Sequence, residues 1–259
     1  MIPDSIVLIG AGGNGSWLAL FLTQYMFHER GLIKRRFLVV DHDRFEDKNR
    51  ARQFFARPGN KANSLVGTYT MRFEGRLQGL EAIPKMVVSR TDHNRIHGVE
   101  TVPVSDVVKE SSLIFLCVDA YYPRSVVSEY AQSLRNVCVV NGGTNKLDWD
   151  VSIHIRRGGK DITPSLLTLH PEISELAKAE RGVLLNGTIN RNEASCSAAT
   201  DEGAEQTLAS NISTATLMFQ VFIAYLADKI TAYSFEGAVY ANQNGLWGPS
   251  LRSISDALV

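Results

Sequence analysis

The run Gly10-Ala-Gly12-Gly13-Asn-Gly15 constrains this chain more than any other feature. It follows Ser5-Ile-Val-Leu-Ile9, a short apolar stretch that reads as a buried parallel strand. It precedes Trp17 to Phe27, apolar on most turns, which reads as a helix. A glycine run between a strand and a helix is the context in which such a run binds nucleotide phosphate. Gly10 permits the tight turn, Gly12 lets backbone approach a phosphate, and Gly15 allows close helix–strand packing, with Gly13 in the same turn. The helix N-terminus then offers free N–H groups and a partial positive charge to an anion. The bland alternative is a tight turn without a ligand, and the motif leaves open which nucleotide it takes.

The rest of the chain fits a sheet built around that turn. Arg36 to Asp41 reads as a second strand, Lys61 to Tyr69 as a short helix and Met86 to Val88 as a weak strand. Ser112 to Asp119 reads as a strand ending in an acid, Arg124 to Leu134 as a helix beginning after Pro123, and Val137 to Asn141 as a strand stopped by Gly142-Gly143. Trp149 to Ile155 alternates polar and apolar residues, as an exposed antiparallel strand does. Gly158 to Thr200 shows weak periodicity and reads as a long functional loop, before helix signals return from about Glu205 to Lys229. Residues from Tyr233 onward carry β-type and turn residues. Strands alternating with helices imply an α/β, Rossmann-like doubly wound, mostly parallel sheet with an antiparallel C-terminal portion. A length of 259 residues fits one domain, with a nucleotide-binding half over 1–145 and a second half over 146–259 that holds a crossover loop around 158–204.

Composition excludes more than it names. With 27 basic and 27 acidic residues the formal net charge is zero, which argues against a nucleic-acid binder driven by bulk electrostatics. Cys117, Cys138 and Cys196 form no C-x-x-C pair, which fits a reducing, cytoplasmic setting and predicts no zinc site. Met1-Ile2-Pro3-Asp4 has no basic leader, and Thr214 to Ala227 is too short and too polar for a membrane span.

The second strand narrows the ligand. A dinucleotide site needs one acid there for the ribose, and Asp41 supplies it. The chain then continues through Asp43, Glu46, Asn49, Arg52 and Gln53, with Lys61 just beyond. An NAD(P)-dependent oxidoreductase would use Gly10 to Asp41 and leave Asn49, Arg52, Gln53 and Lys61 idle. A basic pair shortly after a ribose-binding acid instead suits a triphosphate. Taken singly, each charge also reads as part of a solvated loop.

Taken together, the pattern D-x-D-x-φ-E-x-x-N-x-x-R-Q-φ from Asp41 to Phe54, behind a G-x-G-G-x-G turn, resembles the ThiF/MoeB class of adenylyltransferases. The resemblance is close from about Ser5 to Asp119 and looser to about residue 230. It implies an enzyme that uses ATP and Mg²⁺ to adenylate the C-terminal glycine of a ubiquitin-like or sulfur-carrier protein. By the same resemblance Asp41 binds the ribose, Arg52 and Lys61 neutralise phosphate charge, Asn49 and Gln53 orient the loop or contact phosphate, and Asp119 binds Mg²⁺. Arg124 matches an arginine in the helix that follows Asp119. The second half would bind the carrier protein.

Cys196, in Ala194-Ser-Cys196-Ser-Ala, matches a position where relatives carry a cysteine in a crossover loop, and there a thiolate could take the acyl group. A small buried side chain is the alternative, and it is the reading for Cys117 and Cys138. His93 and His97, at i, i+4, and His170 with Glu172 read as solvated surface groups without a third metal ligand. Relatives carry an N-terminal helix that supplies an arginine to the neighbouring subunit. This chain starts at its first strand, so the expectation is a homodimer whose arginine comes from elsewhere, or a non-catalytic scaffold of the same fold. A conjugating-enzyme-like or JAB-type protein is the further partner implied. A relative that adenylates a modified tRNA base is disfavoured by the neutral charge.

Overall fold

Ile6 and Leu8 leave the first strand on one face and Val7 and Ile9 on the other, and each is at most 2% exposed. Alternate side chains of a strand point to opposite faces, so burial on both means layers of structure above and below. The computed structural model describes residues 2–47, 50–54, 57–144, 148–187, 207–238 and 250–253. In chain order the elements are β1 (Ser5–Ile9), α1 (Gly13–His28), β2 (Arg36–Val40), β3 (Arg44–Phe45), β4 (Gly59–Asn60), α2 (Lys61–Arg72), β5 (Leu80–Ile83), β6 (Met86–Val88), β7 (Thr101–Pro103) and α3 (Val104–Val107). There follow β8 (Ser112–Leu116), α4 (Tyr121–Ser133), β9 (Val137–Thr144), β10 (Asp148–Arg157), β11 (Lys160–Asp161), α5 (Leu166–Leu169), α6 (Glu172–Asn186), α7 (Leu208–Leu226), β12 (Ala232–Ala238) and β13 (Ser250–Ser253).

The main sheet runs β13-β12-β10-β9-β8-β1-β2-β5, with β11 added beside β10. From β9 to β5 its pairs are parallel. From β9 outward through β10, β12 and β13 they are antiparallel. The expected architecture is therefore present. On one face α1, α2 and α7 bury Leu18, Leu22, Leu65, Tyr69, Met218 and Phe222 against Ile6, Leu8 and Val140. On the other, α4, α5 and α6 pack Val126, Val127, Leu166 and Ile173 against Val7, Ile9 and Val139. By length and composition α7 is a helix that could cross a membrane. Here it lies in the core, with Ala215, Met218 and Phe222 fully buried.

Four local readings change. The strand read as exposed from Trp149 to Ile155 is β10, antiparallel as expected but paired on both edges and buried from Val151 to Ile155. Gly142-Gly143 continues β9 rather than stopping it. A methyl on Gly142 would lie 2.5 Å from Met218 Sδ, and one on Gly143 would strike the Asp150 carboxylate, so neighbouring side chains fill the places of the missing ones. The segment read as a loop from Gly158 carries α5 and the 15-residue α6. Helix α4 starts two residues before Pro123, where the ring is tolerated because first-turn N–H groups have no intrahelical partner.

Helix α6 is fastened to α4 and to the loop after β6 by polar groups. Arg181 donates Nε and Nη2 to Asp92 at 2.6 and 2.7 Å, and Asp92 also accepts the Tyr122 hydroxyl. Glu180 accepts the Tyr122 N–H at 2.7 Å at the start of α4, where a carboxylate meets the positive end of the helix.

Candidate nucleotide site

The order of the parallel strands reverses at β1, with β2 on one side and β8 on the other. In open α/β sheets ligands bind at the carboxyl ends of the strands at such a switch point. Gly10 follows β1, Asp41 follows β2, and Asp119 lies just past β8.

The glycines divide by what surrounds them. Gly10 has φ +93°, and a methyl there would lie 2.5 Å from the Cys117 carbonyl oxygen. A methyl on Gly15 would strike the Gly10 carbonyl. Both are needed to let β1, α1 and the end of β8 approach one another. Gly12 is different, because the nearest atom to a methyl there is Gln53 Nε2 at 4.0 Å. That space is open, beside the N-terminus of α1, where amide donors have no intrahelical acceptor.

Asp41 is 9% exposed and is held by two backbone amides, with Oδ2 accepting from Ala11 at 2.7 Å and Oδ1 from Asp43 at 2.7 Å. Asn60 Nδ2 donates to the Asp41 and Asp43 carbonyls at 2.9 and 3.0 Å, while its Oδ1 caps α2 by accepting from the Asn63 N–H at 3.0 Å. Lys61, the first residue of α2, is thereby aimed at the acids. Its Nζ lies 2.9 Å from Asp43 Oδ2 and its side chain is 11% exposed.

Burial alone would lower the Lys61 proton affinity, but Asp41, Asp43 and, more weakly, Asp119 together raise it, so the ammonium stays charged. Burial also works to raise the Asp43 carboxyl, yet Lys61 and His42 hold it below its ordinary range. Burial raises the more enclosed Asp41 against the pull of Lys61.

The Arg52-Gln53-Phe54 segment is tied down on α1 and α7. The Arg52 carbonyl accepts from Trp17 Nε1 and from Asn211 Nδ2, each at 3.3 Å, and the Phe54 N–H donates to Ser16 Oγ at 3.0 Å. Gln53 is 9% exposed, and its Oε1 has no hydrogen-bond donor among the described residues. An orphaned buried acceptor beside an open glycine turn is what a nucleotide hydroxyl or amine would satisfy, so the residues present fit such a ligand.

The sequence-predicted residues Gly10, Gly12, Gly13, Gly15, Asp41, Asp43, Gln53 and Lys61 thus gather on one rim, with the Arg52 backbone joined to them. Asp119 is exposed on the same rim, close enough for its charge to act on Lys61. Among the described residues the close-set trio of potential metal ligands is Asp41, His42 and Asp43, and Asp119 lies outside it. Arg124 donates to the Val118 and Gly142 carbonyls and to Asn141 Oδ1, so it ties the ends of β8 and β9 together. Cys117 and Cys138 are buried, as read from sequence, and burial pushes the Cys117 thiol up to about 12 and Cys138 higher still. His93 bonds Thr101 and His170 bonds Glu172. Asn49 and Cys196 lie outside the described residues.

Sequence reading missed Asn60 and Asn211. Asn60 carried a signal, because asparagine before a helical run is an N-cap. Asn211 carried none, since its hydrogen-bond partner Arg52 is 159 residues away.

The fold has solved counterparts. PaaA, solved in selenomethionine form, superposes with a TM-score of 0.61 at 18% identity, over 97% of this chain and 73% of that one. The E. coli MccB structure with ATP superposes with a TM-score of 0.58 at 12% identity, over 97% of this chain and 64% of that one. MccB with AMPCPP and MccA gives a TM-score of 0.59 at 13% identity, over 97% of this chain and 64% of that one. The chain therefore spans roughly two thirds of the MccB length. No curated protein matches it in sequence. At these identities the structures speak for the fold alone. The family model of ThiF proteins, however, matches residues 4–225, the glycine turn and the acid–lysine cluster included, and the chain belongs to the ThiF family.

Proposed function

We propose that the protein is an ATP-dependent adenylyltransferase that activates the carboxyl terminus of a small protein, in the form the motif implies the terminal glycine of a ubiquitin-like or sulfur-carrier protein. The observation that carries this reading is Lys61, its side chain 11% exposed, paired with Asp43 and within reach of the charges of Asp41 and Asp119 beside an open glycine turn. A plain dinucleotide site has no use for that ammonium. The family match and the E. coli MccB structure with ATP support the nucleotide, and the MccB structures with MccA support a second substrate beside it.

The carboxylate of the acceptor attacks the α-phosphorus of ATP, a new carboxyl O–P bond forms, the bridging P–O bond to the β-phosphate breaks, and pyrophosphate leaves. Nucleophile and electrophile are both anionic, so the protein contributes positioning and charge neutralisation. In this reading Asp41 holds the ribose, Gly12 and the α1 N-terminus admit the phosphates, and Arg52 and Lys61 offset their charge. Asn49 and Gln53 orient the loop or contact the phosphates, and Asp119 would be the residue to hold Mg²⁺. Bound Mg²⁺ would neutralise the leaving pyrophosphate. Cys196 is the candidate acyl acceptor, and a homodimer with a conjugating-enzyme-like or JAB-type protein nearby is the expected setting.

The test has two stages. Titration with ATP·Mg²⁺ against NADH separates the triphosphate reading from the oxidoreductase one. ATP–pyrophosphate exchange with small proteins ending in glycine then reads the chemistry. Exchange that is lost in Arg52→Ala supports the proposal, and equal behaviour of the two proteins overturns it.

A further inference from the structure

Asn211 is fully buried in the first turn of α7, yet its Oδ1 has no donor among the described residues. A buried amide oxygen without a donor is destabilising, and a leucine of nearly the same shape would remove that penalty. The amide is nevertheless placed against the glycine turn. A methyl on Gly13 would lie 2.5 Å from Asn211 Nδ2 and 2.6 Å from its Oδ1, so the carboxamide fills the place where any other residue would carry a side chain. The same Nδ2 donates to the Arg52 carbonyl at 3.3 Å.

We infer that Asn211 is a positioning residue that fixes the glycine turn and the Arg52-Gln53 segment relative to each other, setting the distance between the two walls of the nucleotide site. This rests on the nucleotide reading above. The neighbouring contacts agree with it. Trp17 Nε1 reaches the same Arg52 carbonyl from α1. One turn along α7, Thr214 Oγ1 lies 3.2 Å from Thr144 Oγ1, which donates to Asn14 Oδ1 at 2.7 Å. The first two turns of α7 are thus joined by polar groups to the Arg52 loop, to the end of β9 and, through Thr144, to α1. A group that touches no ligand but fixes two that do acts by pre-organisation, and small displacements there are costly.

The experiment uses the full chain, with thermal midpoint and ATP·Mg²⁺ titration as separate readouts. Asn211→Leu keeps the branching and heavy-atom count and removes the orphan oxygen, so its midpoint is expected to stay near that of wild type while ATP affinity falls about tenfold. Gly13→Ala is expected to lower the midpoint, and adding Asn211→Ala to it to restore part of the loss, because the contact is removed from the other side. If wild type binds ATP and Asn211→Leu binds it equally well, the inference fails and the nucleotide reading stands. If Asn211→Leu loses stability and affinity together, the residue is only a packing element and the inference also fails. If wild type binds no ATP at all, both fall.

Discussion

Lys61 Nζ stands 2.9 Å from Asp43 Oδ2, on a helix whose N-cap, Asn60, also grips the carbonyls of Asp41 and Asp43. One asparagine thus fixes both the direction of the lysine and the acids it meets. Lys61→Met keeps the aliphatic stem and removes the charge. Loss of such a phosphate clamp is expected to reduce exchange activity roughly a hundredfold. Asn60→Ala should cost about 1 kcal/mol in stability through the lost cap, and weaken ATP binding as well. Exchange assays beside thermal melts separate the two effects.

The glycines of the turn should separate stability from binding. Gly15→Ala drives a methyl into the Gly10 carbonyl and is expected to destabilise by about 2–3 kcal/mol. Gly12→Ala meets nothing closer than 4.0 Å, so its stability should stay within about 0.5 kcal/mol of wild type while ATP affinity falls. A Gly12→Ala protein that melts normally and binds ATP normally would remove the phosphate from that turn.

Asp92 contributes to the acid sensitivity of the fold. Arg181, bonded in bidentate fashion, holds the Asp92 carboxyl down to about 2 against burial, with help from Tyr122 and Ser89. The folded value lies below the unfolded one of about 3.9. This contribution, about 2 kcal/mol, is therefore full above pH ~4 and is lost as pH falls toward 2. Asp92→Asn should lower stability at pH 7 and flatten that part of the stability–pH curve, as read by denaturant melts across the range.

The two buried thiols should react slowly. With Cys117 at about 12 and Cys138 pushed higher, neither forms appreciable thiolate at pH 8. In native protein neither Cys117 nor Cys138 should react fast with a disulfide reagent, and in denatured protein both should. Fast labelling of Cys117 in native protein would contradict its burial.

Much of the site was legible from the sequence because it is local. Gly10 to Gly15 and Asp41 to Lys61 lie in two short stretches, and each stretch announces its own turn, strand end or cap. What was not legible depends on partners far along the chain. Gly142-Gly143 reads as a stop until Met218 and Asp150 are seen filling the space above the two glycines. Helix α6 leaves a weak hydrophobic period in the sequence, because only Ile173 and Ala177 of it are buried and the rest of its surface is polar or partly exposed. Its anchorage comes from Glu180 and Arg181 pairing with residues on other elements, which no hydrophobic period reports.

The Arg52 carbonyl takes one donor from Trp17 and another from Asn211, far along the chain. In the order of synthesis this divides the site in time. A growing chain that ends before Leu208 already holds the glycine turn, Asp41 and Lys61, and can pair β1 with β2 and β8. It lacks the helix that backs Gly13 and completes the core beside α1, so that face of its sheet is covered only by α1 and α2. Segments that close a fold through distant contacts form late. Competence for nucleotide would then arrive with about the last fifth of the chain, which makes a truncated product inert instead of partly active.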